Sequence, residues 1–225
     1  MSSTSLISAA AEAAPAGGAA LDQVIVATAF GLIVTLGLAV LCLGHRSGRI
    51  GLLAWGGRLS EKLSPLPGWA AVPAFIALVT LLPTLFGLQW DEALHITQGR
   101  DEGPLANPSH YLLLQGIFGG FAAGVIGMAM ADDRVPRSGI RIPGAWTVPA
   151  GAALTAIGGG VALLGFPLDD VWHRLYGQDV TLWSPTHVTM IAGMSISVLG
   201  IVVLVIEGLR AAGGRSGEKL SLIHI

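Results

Sequence analysis

Apolar residues in this chain fall in long unbroken runs, not in the short alternating or three-and-four-spaced patterns of a water-soluble fold. Five such runs, at about residues 24–43, 70–88, 111–131, 147–164 and 188–205, contain no lysine or arginine. A helix rises about 1.5 Å per residue, so about 20 residues cross a hydrocarbon core. The pattern therefore predicts an all-α protein, a polytopic transmembrane helix bundle of five spans, with the lipid bilayer as its first partner.

Composition agrees with that reading. Hydrophobic residues make up 52% of the 225 residues and charged residues 12%, about half the charged share of an average soluble domain. A net charge of −2 gives no reason to expect nucleic acid as a partner. Cys42 is the single cysteine, which excludes a disulfide framework and a thiolate metal cluster.

Basic residues set the expected orientation. Arg46, Arg49, Arg58, Lys62, Arg134, Arg137, Arg141, Arg210, Arg215 and Lys219 all fall on one side of the five spans, and only Arg100 and Arg174 on the other. By the positive-inside tendency, the N-terminus and the connections around residues 90–110 and 167–187 lie outside a cell (inner) membrane, and the C-terminus inside. Residues 1–21 read as a flexible outside tail. Residues 50–63 mix apolar positions with Arg58, Glu61 and Lys62 and suit an amphipathic helix in the inner interface. Trp55, Trp69, Trp90, Trp146, Trp172 and Trp183 fall at or near span ends, as interfacial indoles do. Residues 218–225 end in a string that resembles translated sequencing adapter. They are expected to be a non-native scar, with the natural chain continuing differently beyond about residue 217.

The connections on the outer side carry an internal repeat. One copy holds Asp91, His95, Gly99, Asp101, Pro108 and His110, and the other Asp169, His173, Gly177, Asp179, Pro185 and His187. The shared pattern is D-x3-H-x3-G-x-D, then five or six residues, then P-[ST]-H. Each copy joins two spans, giving duplicated helix-loop-helix units at about residues 68–131 and 144–208. Asp and His four apart share a helical face. Asn107-Pro108 and Ser184-Pro185 read as an N-cap followed by proline in the first turn, which places His110 and His187 at helix starts, facing the connection. Each copy can thus gather a carboxylate and two imidazoles from two helices, a donor set suited to copper, zinc or non-haem iron. Asp101 and Asp179 are placed to accept the other ring N–H of a ligating histidine. A structural alternative is that the same residues pin the connections by hydrogen bonding.

Other features are plainer. Gly116, Gly120 and Gly124, with Ala152, Ala156 and Gly160 in the next span, read as close helix packing. Met128, Met130, Met190 and Met194 read as apolar filler, and Glu207 with Arg210 as a terminal polar pair. The segment 91–95 lacks the first histidine of H-E-x-x-H.

Asp91-x3-His95 followed by Asn107-Pro108-Ser109-His110 resembles the copper site in the C subunit of particulate methane and ammonia monooxygenases, over about residues 68–208. The second copy, Asp169, His173 and His187, has an aspartate where that family has asparagine. The resemblance implies copper, oxidation of a small apolar or nitrogenous substrate, and partner subunits in a trimer of heterotrimers. A non-enzymatic copper or zinc binding, storage or sensing protein is the alternative. A transporter would place ionisable groups at mid-span, where these spans have essentially none.

Overall fold

The computed structural model describes residues 21–98, 105, 107–142, 146–176 and 183–213, with Gln98, His173 and Arg174 described in backbone only. Its helices are α1 (Leu21–Arg46), α2 (Leu52–Leu63), α3 (Gly68–Gln98), α4 (Pro108–Met130), α5 (Ala150–Tyr176) and α6 (Pro185–Gly213). A two-stranded antiparallel ribbon, β1 (Ile140–Arg141) and β2 (Thr147–Val148), joins α4 to α5. All but α2 are long and apolar enough to cross a membrane. The protein is an all-α polytopic membrane bundle, as its hydrophobic runs predict. Residues 1–20 of the expected tail and the terminal scar lie outside the described residues, and Leu21, the last residue of that tail, instead opens α1.

Helix limits differ from the apolar runs in an informative way. Helix α3 continues past its run to Gln98, and α5 continues to Tyr176, so Asp91, His95, Asp169 and His173 stand on helical extensions rather than in loops. The fourth run includes Thr147 and Val148, yet these form β2, and the helix begins after Pro149. Helix α1 ends where Gly48 adopts a left-handed conformation (φ 72°). The Arg49 and Ile50 amides then reach back to the Gly44 carbonyl at 2.8 and 3.0 Å, satisfying an orphan carbonyl of the last turn.

Helix α4 is the hub, packing against α1, α3, α5 and α6. Its glycines make that possible, each against a different neighbour. Gly116 lies on Thr84 of α3, Gly120 on Ser197 of α6, and Gly124 on the backbone of Ala152 and Ala156 of α5. The hairpins α3–α4 and α5–α6 are each closed by small residues. In the second, Gly158 meets Gly193 and Ser197, and Gly200 meets Gly151 and Thr155. Without a hydrophobic drive between helices in lipid, such close backbone approach supplies the packing energy. The methionines behave as filler, Met130 beside the Leu38–Cys42–Ile126 cluster and Met128 beside Trp69 and Leu204. Trp69 is only 1% exposed, so this indole belongs to the bundle core and not to the interface expected of it. Outward faces remain apolar, with Phe30, Leu36, Phe75, Phe86 and Ile157 exposed, as lipid requires.

The bundle has two chemically different ends. The end of α1, helix α2, the start of α3, the end of α4, the ribbon, the start of α5 and the end of α6 lie together. Here Arg46 donates to the Ala131 carbonyl at 2.9 Å and stacks 4.2 Å over the Trp146 ring, whose indole N–H donates to Met128 at 2.8 Å. Glu61 accepts from the Gly68 amide at 2.9 Å and from Arg134 at 2.8 Å, so a carboxylate of α2 caps α3. Glu207, 1% exposed, does the same for α5, accepting from the Ala150 and Gly151 amides at 3.2 and 2.9 Å and from Ser138 at 2.7 Å. Glu207 is therefore a helix cap and not the partner of Arg210: no ion pair joins the two among the described residues.

Two outcomes follow from this packing. Gly124→Ala drives a methyl group into the α5 backbone and should lower stability in nanodiscs by about 1–3 kcal/mol; an unchanged unfolding midpoint would contradict the contact. For Glu61, burial works against the charged form, but the Gly68 amide and Arg134 outweigh it and hold its pKa below the usual glutamate value. A depressed carboxylate pKa gives stability that is present above the unfolded value and lost as pH falls through the folded one. Hydrogen exchange at the Gly68 amide should therefore stay slow from neutral pH to about pH 5 and speed up beyond its intrinsic pH dependence below about pH 4. In Glu61→Gln that acid-dependent step should be absent.

Candidate metal centre

At the opposite end, the repeat brings its residues together. The Asn107 side chain accepts from the Ser109 amide at 3.1 Å and caps α4, with Pro108 in the first turn. This cap sets the direction of Ser109 and His110 toward the last turns of α3, where Asp91 waits. The Asp91 Oδ1 atom then accepts from the Ser109 hydroxyl at 2.6 Å and the Asn107 amide at 3.1 Å, and lies 3.1 Å from His110 Nε2. His95 approaches the other oxygen, its Nδ1 lying 3.5 Å from Asp91 Oδ2 and 2.9 Å from the Asp91 carbonyl. Donation from Nδ1–H to that carbonyl leaves Nε2 of His95 as the ring's lone-pair nitrogen. The two imidazoles are 6.4 Å apart between centroids, and Phe166 of α5 meets His110 edge-on at 6.2 Å. The carboxylate is 18% exposed and the rings 20% and 14%, so the group is sheltered but reachable.

The second copy repeats the design. Ser184 accepts from the His187 amide at 3.2 Å and caps α6. The Thr186 hydroxyl donates in a short hydrogen bond to Asp169 Oδ1, and His187 Nε2 lies 3.4 Å from Asp169 Oδ2. Thus Asp169, Thr186 and His187 stand as Asp91, Ser109 and His110 do. His173 is on α5 one turn beyond Asp169, but its side chain is outside the described residues, as are Asp101 and Asp179.

Sequence reasoning therefore located Asp91, His95 and His110 as one group and Asp169 with His187 as another. It missed the donors Ser109, Thr186 and Asn107 as carboxylate partners. The signal was present, since a hydroxyl residue stands between proline and histidine in both copies.

Chemically, each copy is a clasp, a carboxylate on one helix gripped by a hydroxyl and an imidazole on the next. Among the described residues, no set of three or more His, Cys, Asp or Glu side chains is arranged to hold a metal ion as it stands. The ring nitrogens are turned onto the carboxylate itself. The donor types, two imidazoles and a carboxylate, are ones that copper and zinc accept, but the rings would have to turn from the carboxylate toward a shared ion. No family model matches the chain, no curated protein matches it in sequence, and no solved structure matches it in fold.

The clasp itself has a measurable consequence. Ser109→Ala removes one donor to a sheltered carboxylate and should cost about 1–3 kcal/mol of stability. Asp91→Ala, which strands Asn107, Ser109 and His110 together, should cost more. Thermal unfolding of both variants in nanodiscs checks this, and equal midpoints for wild type and Asp91→Ala would contradict it.

Proposed function

We propose that this chain is an integral membrane copper protein, with its two clasps as the metal sites, and that it serves as a C-type subunit of a copper membrane monooxygenase. The supporting observation is the convergence of two imidazoles from two helices on one carboxylate, with a matched aspartate and histidine in the second copy. Asp91, His95 and His110 would hold one ion, and Asp169, His173 and His187 the other. The excess of basic residues at the opposite end supports clasps facing outward from a cell membrane. Bound copper would supply one-electron chemistry toward dioxygen.

The chain's own residues do the rest. Each carboxylate offsets charge on the ion, and the Ser109 and Thr186 hydroxyls fix its direction. The caps Asn107 and Ser184 hold His110 and His187 at the helix starts, and Phe166 covers one ring edge against water. Apolar residues close to the clasps in sequence, Ile96, Leu168 and Val171, are exposed, which suits a small apolar or nitrogenous substrate arriving through lipid. Oxygenase partner subunits and an oligomer belong to this reading.

A second reading, favoured by the closed hydrogen bonding of Asp91 Oδ1, is that the clasps only pin the hairpins together. Metal content separates the two. After copper loading and washing in nanodiscs, the wild type should retain about one to two equivalents. His95→Ala or His110→Ala should lose about one equivalent, and His187→Ala the other. Zinc loading run in parallel tests metal choice. Oxygen uptake by the copper-loaded protein with a chemical reductant separates an oxygenase from a storage protein. No retained metal, or the same content in every variant, leaves only the structural reading.

A further inference from the structure

We infer that α2 is an anchor for anionic phospholipid in the leaflet facing the basic end. Leu52, Trp55, Leu59 and Leu63 are spaced three and four residues apart, so they form one stripe of this helix. That stripe is exposed, Trp55 by 57% and Leu63 by 81%, while Leu53 and Gly57 on the other side are buried against the bundle. The contact there is close, since a Cβ on Gly68 would lie 2.8 Å from Gly57 Cα. The helix is thus fixed to the bundle, and its stripe is not free to turn inward.

Charge identifies what covers the stripe. Arg58 and Lys62, four apart, run alongside it, both exposed and neither in a hydrogen bond or ion pair with the described residues. Glu61 is the acidic residue next to them in sequence, but it is committed elsewhere, to the Gly68 amide and Arg134. Arg49, just before the helix, is also exposed, and its side chain is in no hydrogen bond or ion pair with the described residues. Two to three uncompensated cations beside an apolar, tryptophan-bearing stripe match the boundary between acyl chains and negatively charged headgroups. A protein partner with an acidic rim would need to reach this stripe beside five lipid-facing spans, whereas the bilayer is already there. The inference does not depend on the chemistry of the clasps.

Tryptophan quenching tests it on the full chain in nanodiscs. The Trp55 signal is the difference between wild type and Trp55→Phe, measured with bromine on the acyl chains of either phosphatidylglycerol or phosphatidylcholine at equal mole fraction. Brominated phosphatidylglycerol should quench that signal about twofold or more above brominated phosphatidylcholine. In Arg49→Gln/Arg58→Gln/Lys62→Gln the two lipids should quench equally, and quenching itself should persist. Equal quenching by the two lipids in the wild type overturns the inference. So does a Trp55 signal that neither lipid reaches, which would mean that protein or water covers the stripe.

Discussion

A helix leaves its first four backbone N–H groups without partners, and in or beside a bilayer water cannot be relied on to satisfy them. Each helix of the duplicated bundle meets this constraint with a polar side chain placed at its start. Glu61 serves α3, Asn107 serves α4, Glu207 serves α5 and Ser184 serves α6. The caps differ by end. On the basic side they are carboxylates from other helices, which tie the termini together across the bundle. On the clasp side they are short neutral groups just before each helix, which leave the aspartates of the preceding helices for other partners. Those aspartates are taken up by Ser109 with His110 and by Thr186 with His187. The chemistry at that end is thus an extension of the way the helices begin.

The caps fix the ends, and small residues fix the distances between helices. Because Gly116, Gly120 and Gly124 let α4 lie against three neighbours, its first turn is held close enough to α3 for a histidine and an aspartate to meet. Thr84 contributes at the same contact, its hydroxyl donating to the Leu112 carbonyl at 2.9 Å across the hairpin. A larger residue in this seam would open the hairpin and move His110 away from Asp91. Packing in mid-bundle and geometry at the clasp are therefore one problem.

The spans were legible because lipid demands apolar residues over the whole length of a crossing helix, and nothing else in a chain of this size produces such runs. The helical extensions to Gln98 and Tyr176 were not, since their polar residues look like loop. They remain helical because local backbone bonding continues there, with the His95 ring adding a bond to the Asp91 carbonyl. Pairing of Asp91 with His110 could be read from spacing plus the Asn-Pro cap, both local signals. The role of Glu207 could not, because the amides that it caps are 56 and 57 residues away and only the packed bundle brings them near. Ser109 and Thr186 fall between these cases: visible in the repeat, but their hydroxyls gain a role only when a carboxylate from another helix arrives.

On the proposed function, imidazole nitrogens of each clasp hold a copper ion. Electron paramagnetic resonance of the Cu(II)-loaded protein in nanodiscs addresses this most directly, because it reports on the atoms bound to the ion. Splitting from imidazole nitrogen that weakens in His110→Ala and again in His187→Ala is the expected result. A spectrum without nitrogen splitting, or one unchanged by both substitutions, would show that copper binds elsewhere and that the clasps are purely structural.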